Sequence, residues 1–228
     1  MTSDIDISKK NAGYFAAELI QDGMAVGLGT GSTVFYAMER LSERISSEGL
    51  DMIGIPTSFQ ASMRAREYGI PLSVLDEYPS LDIAIDGADK IDSSLRMIKG
   101  RGAAQTLERC VADAADLFVV VADESKMCEK LHGPVPVEVL PFALGLFERR
   151  IRELGGIPSV RMGVKKDGPV ITDSGNFEVD CDFGFIEEPE LLQSRINNLP
   201  GVLSCGLFTE FTGRTKVVIG NENGVNIF

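Results

Sequence analysis

Four short apolar segments constrain the fold more than anything else in the chain: 24–28 (MAVGL), 52–55 (MIGI), 81–85 (LDIAI) and 117–122 (LFVVVA). Each is too short for a core helix and reads as a buried strand. Between them lie 34–45, 59–68 and 103–115, which have helical composition. Alternating β and α units predict a parallel sheet. In such sheets ligands bind beyond the carboxyl ends of the strands, so the residues that follow each strand carry the functional information.

The third strand is followed at once by Asp86-Gly87-Ala88-Asp89 and then by Lys99-Gly100-Arg101-Gly102, a turn whose glycines allow close backbone approach. In the helix predicted over 103–115, Ala104, Leu107, Val111 and Ala114 form an apolar stripe with Glu108 at its border. A partly desolvated carboxylate there has a raised pKa, as suits a general base that must return its proton. The alternative is a surface glutamate paired with its neighbours. The first strand runs into Gly29-Thr30-Gly31-Ser32-Thr33 ahead of a helix, the arrangement of an anion site at a helix N-terminus; a purely structural turn is the other reading. A dinucleotide fingerprint would need glycine at Ser32 and an acid where Pro56-Thr57-Ser58 stands, and no lysine follows the glycines as nucleotide phosphate loops require.

A net charge of −12 with no long basic stripe argues against nucleic acid as a partner. An anionic substrate then depends on local cations and oriented N–H groups, which singles out Lys9, Lys99, Arg101 and Lys126. Lys126 follows the fourth strand in Asp123-Glu124-Ser125-Lys126, as a phosphate ligand or as a solvated loop lysine. The four cysteines lack CxxC spacing, so neither a zinc knuckle nor a disulfide framework is expected. His132 is the only histidine and reads as structural. Asp86, Asp89 and Asp92 offer hard oxygen donors for magnesium but lack the glycine pattern of a calcium loop. With no apolar leader in MTSDIDISKK and no stretch of membrane-spanning length, a cytoplasmic protein without membrane contact is expected.

Elsewhere, Ser8 is expected to cap a helix over 9–21, and a further strand is expected at 72–74. Beyond Leu131 the pattern predicts strand 135–140, helix 141–154, strands 159–164, 170–173 and 176–181, helix 189–197 and strand 202–208, which is ferredoxin-like. Strand 216–219 is expected to rejoin the first sheet. The fold class is therefore α/β, a Rossmann-like open, mostly parallel sheet with a smaller ferredoxin-like α+β subdomain. Residues 1–130 with 206–228 form the catalytic domain, and 131–205 form a subdomain suited to oligomer contacts, as a homodimer or homotetramer.

The motifs Gly29-Thr30-Gly31-Ser32-Thr33, Asp86-Gly87-Ala88-Asp89, Lys99-Gly-Arg-Gly-Ala-Ala with Glu108 behind it, Ala122-Asp123-Glu124-Ser125-Lys126 and Pro134-Val135-Pro136-Val137-Glu138-Val139 occur in an order that closely resembles the A-type ribose-5-phosphate isomerases, from about Lys9 to the C-terminus. The family commonly has glycine where this chain has Arg101, whose side chain reaches phosphate, points to solvent or pairs with an acid. The resemblance implies interconversion of ribose 5-phosphate and ribulose 5-phosphate through an enediolate in the non-oxidative pentose phosphate pathway, without metal or redox cofactor. It implies Glu108 as the base, Asp86 and Asp89 at the hydroxyl protons and ring opening, and Lys99 as the cation at the developing oxyanion. It also implies substrate contacts from Thr30, Gly31, Ser32 and Thr33, from Asp86 to Asp89 and from Lys99 to Gly102, with Lys126 and Lys9 at the phosphate. Two other classes compete: a non-catalytic sugar-phosphate sensor, which would not need Glu108 and Lys99 together, and a nucleotide-dependent oxidoreductase, disfavoured by Ser32.

Overall fold

A computed structural model describes residues 4–228, so the first three residues of the expected catalytic domain lie outside it. The chain forms two compact units. The first comprises residues up to Ala88 with Cys110–Met127 and Phe211–Phe228; the second comprises Asp89–Arg109 and Cys128–Glu210. The segment 89–109, expected in the catalytic domain, thus packs within the second unit. The cause is pairing: short strands β4 (Lys90–Ile91) and β5 (Met97–Ile98) join β11 (Leu207–Phe208) in a three-stranded antiparallel sheet of order β11-β5-β4.

The first unit is built on α1 (Asp4–Glu18), β1 (Met24–Leu28), α2 (Ser32–Glu48), β2 (Met52–Pro56), α3 (Phe59–Glu67), β3 (Leu81–Asp86), β6 (Ala115–Asp123), β12 (Thr215–Asn221) and β13 (Gly224–Ile227). The sheet order is β13-β12-β6-β3-β1-β2, parallel throughout except for the edge strand β13. The strand expected at 216–219 does rejoin this sheet, as β12 beside β6. Apolar residues of β1, β3 and β6, among them Val26, Leu28, Ile83, Ile85, Val119 and Val121, pack with Ala12 and Ala16 of α1 and Val34, Met38 and Leu41 of α2 in one core. At roughly 1.5–3 kcal/mol for each large apolar side chain buried, this packing is what makes the strands.

Two local expectations fail here. Helix α1 begins at Asp4 rather than after Ser8, whose hydroxyl lies inside the helix and donates to the Asp4 carbonyl at 2.9 Å; Asp4 and Asp6 suit the positive end of the helix dipole. Segment 72–74 makes only one bridge, Leu72 to Gly54, because Pro71 has no N–H to extend a ladder.

The second unit holds β7 (His132–Val139), α5 (Leu144–Glu153), β8 (Ile157–Val160), β9 (Phe177–Phe185), α6 (Pro189–Asn197) and β10 (Val202–Cys205). Its antiparallel sheet runs β10-β7-β9-β8. In chain order this is βαββαβ with the fourth strand beside the first, the ferredoxin-like arrangement. Val135, Val137 and Val139 of β7 and Val179 and Cys181 of β9 pack against Phe147 and Ile151 of α5. Alternation along the strands puts Pro136 and Glu138, and Glu178 and Asp180, on the opposite face. The strand expected at 170–173 is one bridge, Ile171 to Phe177. The strand expected at 202–208 is cut at Gly206, so that its halves join different sheets. A Cβ at Gly206 would lie 2.3 Å from the Lys99 carbonyl oxygen, and Gly206 accepts from the Lys99 N–H at 2.8 Å and donates to the Pro136 carbonyl at 2.6 Å. Among the described residues no helix is long and apolar enough to cross a membrane.

Candidate active site

In the first unit the strand order reverses between β1 and β3, since β2 lies on one side of β1 and β3 on the other. Such a switch point opens a crevice at the strand ends, and both sequence motifs of this unit sit there. β1 delivers Gly29–Thr33 to α2, and β3 ends on Asp86, which is 2% exposed. The Asp86 carboxylate accepts from the Gly87 N–H at 2.7 Å and the Thr30 N–H at 3.3 Å. Gly29 has no alternative, because a Cβ there would stand 2.1 Å from that carboxylate. The Thr30 hydroxyl is hydrogen-bonded to the Ser58 hydroxyl at 2.8 Å and lies 3.3 Å from that of Thr57, both buried. Helix α2 starts from Gly31 without a side-chain cap, and the first N–H groups of a helix have no partner within it. Ser32 is exposed and Thr33 buried.

Lys126 ends a single 3-10 turn, Glu124–Lys126, capped by Asp123, whose carboxylate accepts from the Ser125 N–H at 3.0 Å. Both Lys126 and Lys9, the latter within α1, are half-buried.

In the second unit β5 leads into the turn 99–104 and then α4 (Gln105–Ala114), whose first residues, to Arg109, belong to this unit. Asp89 is tied to the turn twice: its N–H donates to the Ile98 carbonyl at 2.8 Å, and its carboxylate accepts from the Arg101 N–H at 3.0 Å. The Arg101 side chain is exposed and forms no ion pair among the described residues. Gly102 is exposed, Gly100 buried. Ala103 adopts a left-handed φ of 57°, a conformation costing a non-glycine residue roughly 1–2 kcal/mol. It persists because the turn is held elsewhere, including by the Ala103 N–H to the Gly100 carbonyl at 2.9 Å.

Lys99 and Glu108 are brought together. The lysine Nζ lies 3.2 Å from Glu108 Oε2, the side chains being 2% and 6% exposed, and 5.5 Å from the centre of the Phe208 ring. The apolar stripe predicted for α4 is therefore rotated: Ala104, Glu108, Val111 and Ala112 are buried, while Leu107 is only half-buried. Glu108 occupies the buried face itself rather than its border, because Lys99 supplies a cation there.

Sequence reading missed what holds the turn in place. Arg161 Nη1 donates to the carbonyls of Gly100 and Arg101, each at 3.0 Å, while its Nε donates to Asp180 at 2.9 Å. Gln105 and Thr106 hydrogen-bond Glu178 and Glu138. A signal existed for Glu138, a lone acid in the alternating strand 134–139; none marked Arg161. Asp92 serves its own turn, accepting from the N–H groups of Ser94 and Arg96 at 3.0 Å and from Arg96 Nε at 2.7 Å. Among the described residues no group of three His, Cys, Asp or Glu is arranged to hold a metal ion. His132 Nδ1 lies 2.9 Å from the Lys130 carbonyl and its ring packs near Phe185, and the four cysteines are free thiols.

An open parallel sheet with an uncapped helix start at its switch point, and a separate ferredoxin-like unit carrying a buried lysine–carboxylate pair, define an α/β enzyme of the phosphosugar isomerase type. The profile of the family described as ribose 5-phosphate isomerase A (phosphoriboisomerase A) matches residues 53–224, and the chain belongs to that family. Its members interconvert ribose 5-phosphate and ribulose 5-phosphate in the pentose phosphate pathway, which makes this chain an aldose–ketose isomerase. It is 58% identical over 220 residues to the Ribose-5-phosphate isomerase A of Methanoregula boonei, spanning 96% of this chain and 92% of the relative. Identity to that of Methanosarcina acetivorans is 52% over 223 residues, spanning 98% and 94%. The structure of ribose 5-phosphate isomerase A from Methanocaldococcus jannaschii is similar with a TM-score of 0.93 at 44% identity, over 99% of both chains. A D-ribose-5-phosphate isomerase solved in complex with phospho-erythronic acid has a TM-score of 0.94 at 39% identity, over 99% of both chains.

Proposed function

We propose that the chain isomerises ribose 5-phosphate by moving one proton between C2 and C1 of the open sugar, with Glu108 as the base. The observation that carries this reading is the buried contact of Glu108 with Lys99. Glu108 takes the C2 proton of the aldose, and the electron pair left behind forms the C1–C2 double bond of an enediolate. Lys99 stabilises the negative charge that then develops on oxygen, a fixed cation acting where charge appears during reaction. A proton passes from the C2 hydroxyl to the oxygen on C1, Glu108 returns its proton to C1 as the C2 carbonyl forms, and the ketose results. Atoms and electrons balance within the sugar, so the step needs no redox cofactor, and Lys99 supplies the positive charge at the developing oxyanion.

Asp86 and Asp89 handle the hydroxyl protons and the opening of the furanose ring, and Gly87, Ala88, Gly100, Arg101 and Gly102 contribute substrate contacts. Thr30, Gly31, Ser32 and Thr33, at the uncapped start of α2, hold the phosphate with Lys126 and Lys9. The phospho-erythronic acid bound by one relative supports a phosphorylated sugar as occupant.

The protein acts in the cytoplasm as a homodimer or homotetramer, without nucleic acid or membrane partners. Exposed apolar side chains of the second unit, Phe142, Leu146, Ile157, Val164 and Phe185, support it as the oligomer-forming part. The test is conversion of ribose 5-phosphate to ribulose 5-phosphate by purified protein, with and without EDTA. Activity that survives EDTA supports the reading; failure of folded protein to convert a sugar phosphate that it binds would favour a sensor instead.

A further inference from the structure

Two buried acids have no part in this chemistry. Glu138 and Glu178 stand directly opposite each other on β7 and β9, 1% and 0% exposed. Carboxylates so placed repel, and burying them is costly unless they are hydrogen-bonded. Packing of the core alone does not call for two facing acids. Their partners suggest a different use. Glu138 accepts from the Thr172 hydroxyl at 2.6 Å, from Asn176 Nδ2 at 2.9 Å and from the Thr106 hydroxyl. Glu178 accepts from Gln105 Nε2 at 2.7 Å. Burial, reinforced by the charges of Glu138 and Asp180, pushes the Glu178 carboxyl up to about 8, against the opposing influence of Gln105 and Arg161. Glu178 is therefore a neutral acid near neutrality, which removes the repulsion and allows the two to sit side by side.

Gln105 and Thr106 belong to the first turn of α4, and so does Glu108. The helix enters this turn from a left-handed alanine, and the side chains of Gln105 and Thr106 tie its first turn to the sheet. We propose that Glu138 and Glu178 are positioning residues for the isomerisation, which grip the first turn of α4 through Thr106 and Gln105 and so set where the Glu108 carboxylate lies against Lys99. This rests on Glu108 being the base. A small rotation of the turn would displace that carboxylate from the reacting carbons, and a misplacement of about 1 Å is enough to cost on the order of 100-fold in rate.

The test works from the helix side, leaving both acids in place. Thr106→Val keeps the shape and loses the hydroxyl; Thr106→Ser keeps the hydroxyl; Gln105→Met removes the other grip. In steady-state assays with ribose 5-phosphate, kcat is expected to fall about 10–100-fold in Thr106→Val and Gln105→Met, KM to stay within about threefold, and Thr106→Ser to recover most of the rate. Added to Glu108→Gln, Thr106→Val should reduce the residual rate no further, since it acts through Glu108. Near-parental kcat in Thr106→Val and Gln105→Met, beside an inactive Glu108→Gln, overturns the proposal alone. An active Glu108→Gln overturns the base assignment and the proposal with it.

Discussion

The Lys99 ammonium lies 3.2 Å from the Glu108 carboxylate, and the two side chains are almost sealed from water. They arrive from opposite ends of one turn: Lys99 follows β5, and Glu108 completes the first turn of α4. Taking two charges out of water costs several kcal/mol each, and mutual attraction compensates only in good geometry. A protein selected for stability alone gains little from such a pair. One that needs a base and an oxyanion-stabilising cation side by side gains both.

Glu108→Gln retains size and hydrogen-bonding ability but removes the base. Turnover of ribose 5-phosphate is expected to fall about 10²–10⁴-fold while KM changes little. Steady-state kinetics with a direct binding measurement separates the two quantities; near-normal turnover would remove Glu108 from the mechanism.

Lys99→Met acts on stability as well as on rate, because it leaves the Glu108 charge buried without its cation. Removing one partner of a buried pair typically costs about 3–5 kcal/mol. The double variant Lys99→Met with Glu108→Leu is expected to recover most of that loss in urea denaturation while remaining inactive. If it stays as unstable as the single variant, the ion pair is not what the substitution disturbed.

Lys126→Ala removes a cation assigned to the phosphate and far less involved in the chemical step. KM for ribose 5-phosphate is expected to rise roughly tenfold or more with kcat changed much less, since phosphate pairing contributes about 1.5–3 kcal/mol per charged hydrogen bond. An unchanged KM would make it an ordinary surface lysine.

The apolar runs and the glycine and acid motifs were enough to read the parallel sheet, because a strand buried on both faces leaves little choice of residue. Glu108 and Lys99 stood out through the family resemblance, since a single acid in a helix is by itself more often a surface residue. Three features were not legible. The membership of 89–109 in the second unit depends on two-residue strands, β4 and β5, too short to show a period. The break at Gly206 depends on a contact with Lys99 over a hundred residues away. Arg161 binds backbone carbonyls, and a carbonyl leaves no mark on the residue type that carries it.

Glu178 makes stability depend on pH in a direction opposite to that of most carboxyls. Burial raises its folded-state pKa to about 8, whereas an unfolded glutamate titrates near 4.3, at about the ordinary value. Below that ordinary value both states hold the proton, and the contribution is fully present. As pH rises from there toward about 8, the folded state keeps a proton that the unfolded state has lost, so stability falls by up to about 1.4 kcal/mol per pH unit. Above the folded-state value the loss levels off. Glu178→Gln cannot ionise and keeps an acceptor for Gln105, so it lacks this dependence. Urea denaturation of both proteins between about pH 5 and 9 is therefore expected to show the parent losing stability relative to the variant as pH rises, with the difference flattening near the top of the range. Subtraction removes the contributions of the other carboxyls, and a difference that does not change with pH would mean that Glu178 is ionised in the folded protein throughout.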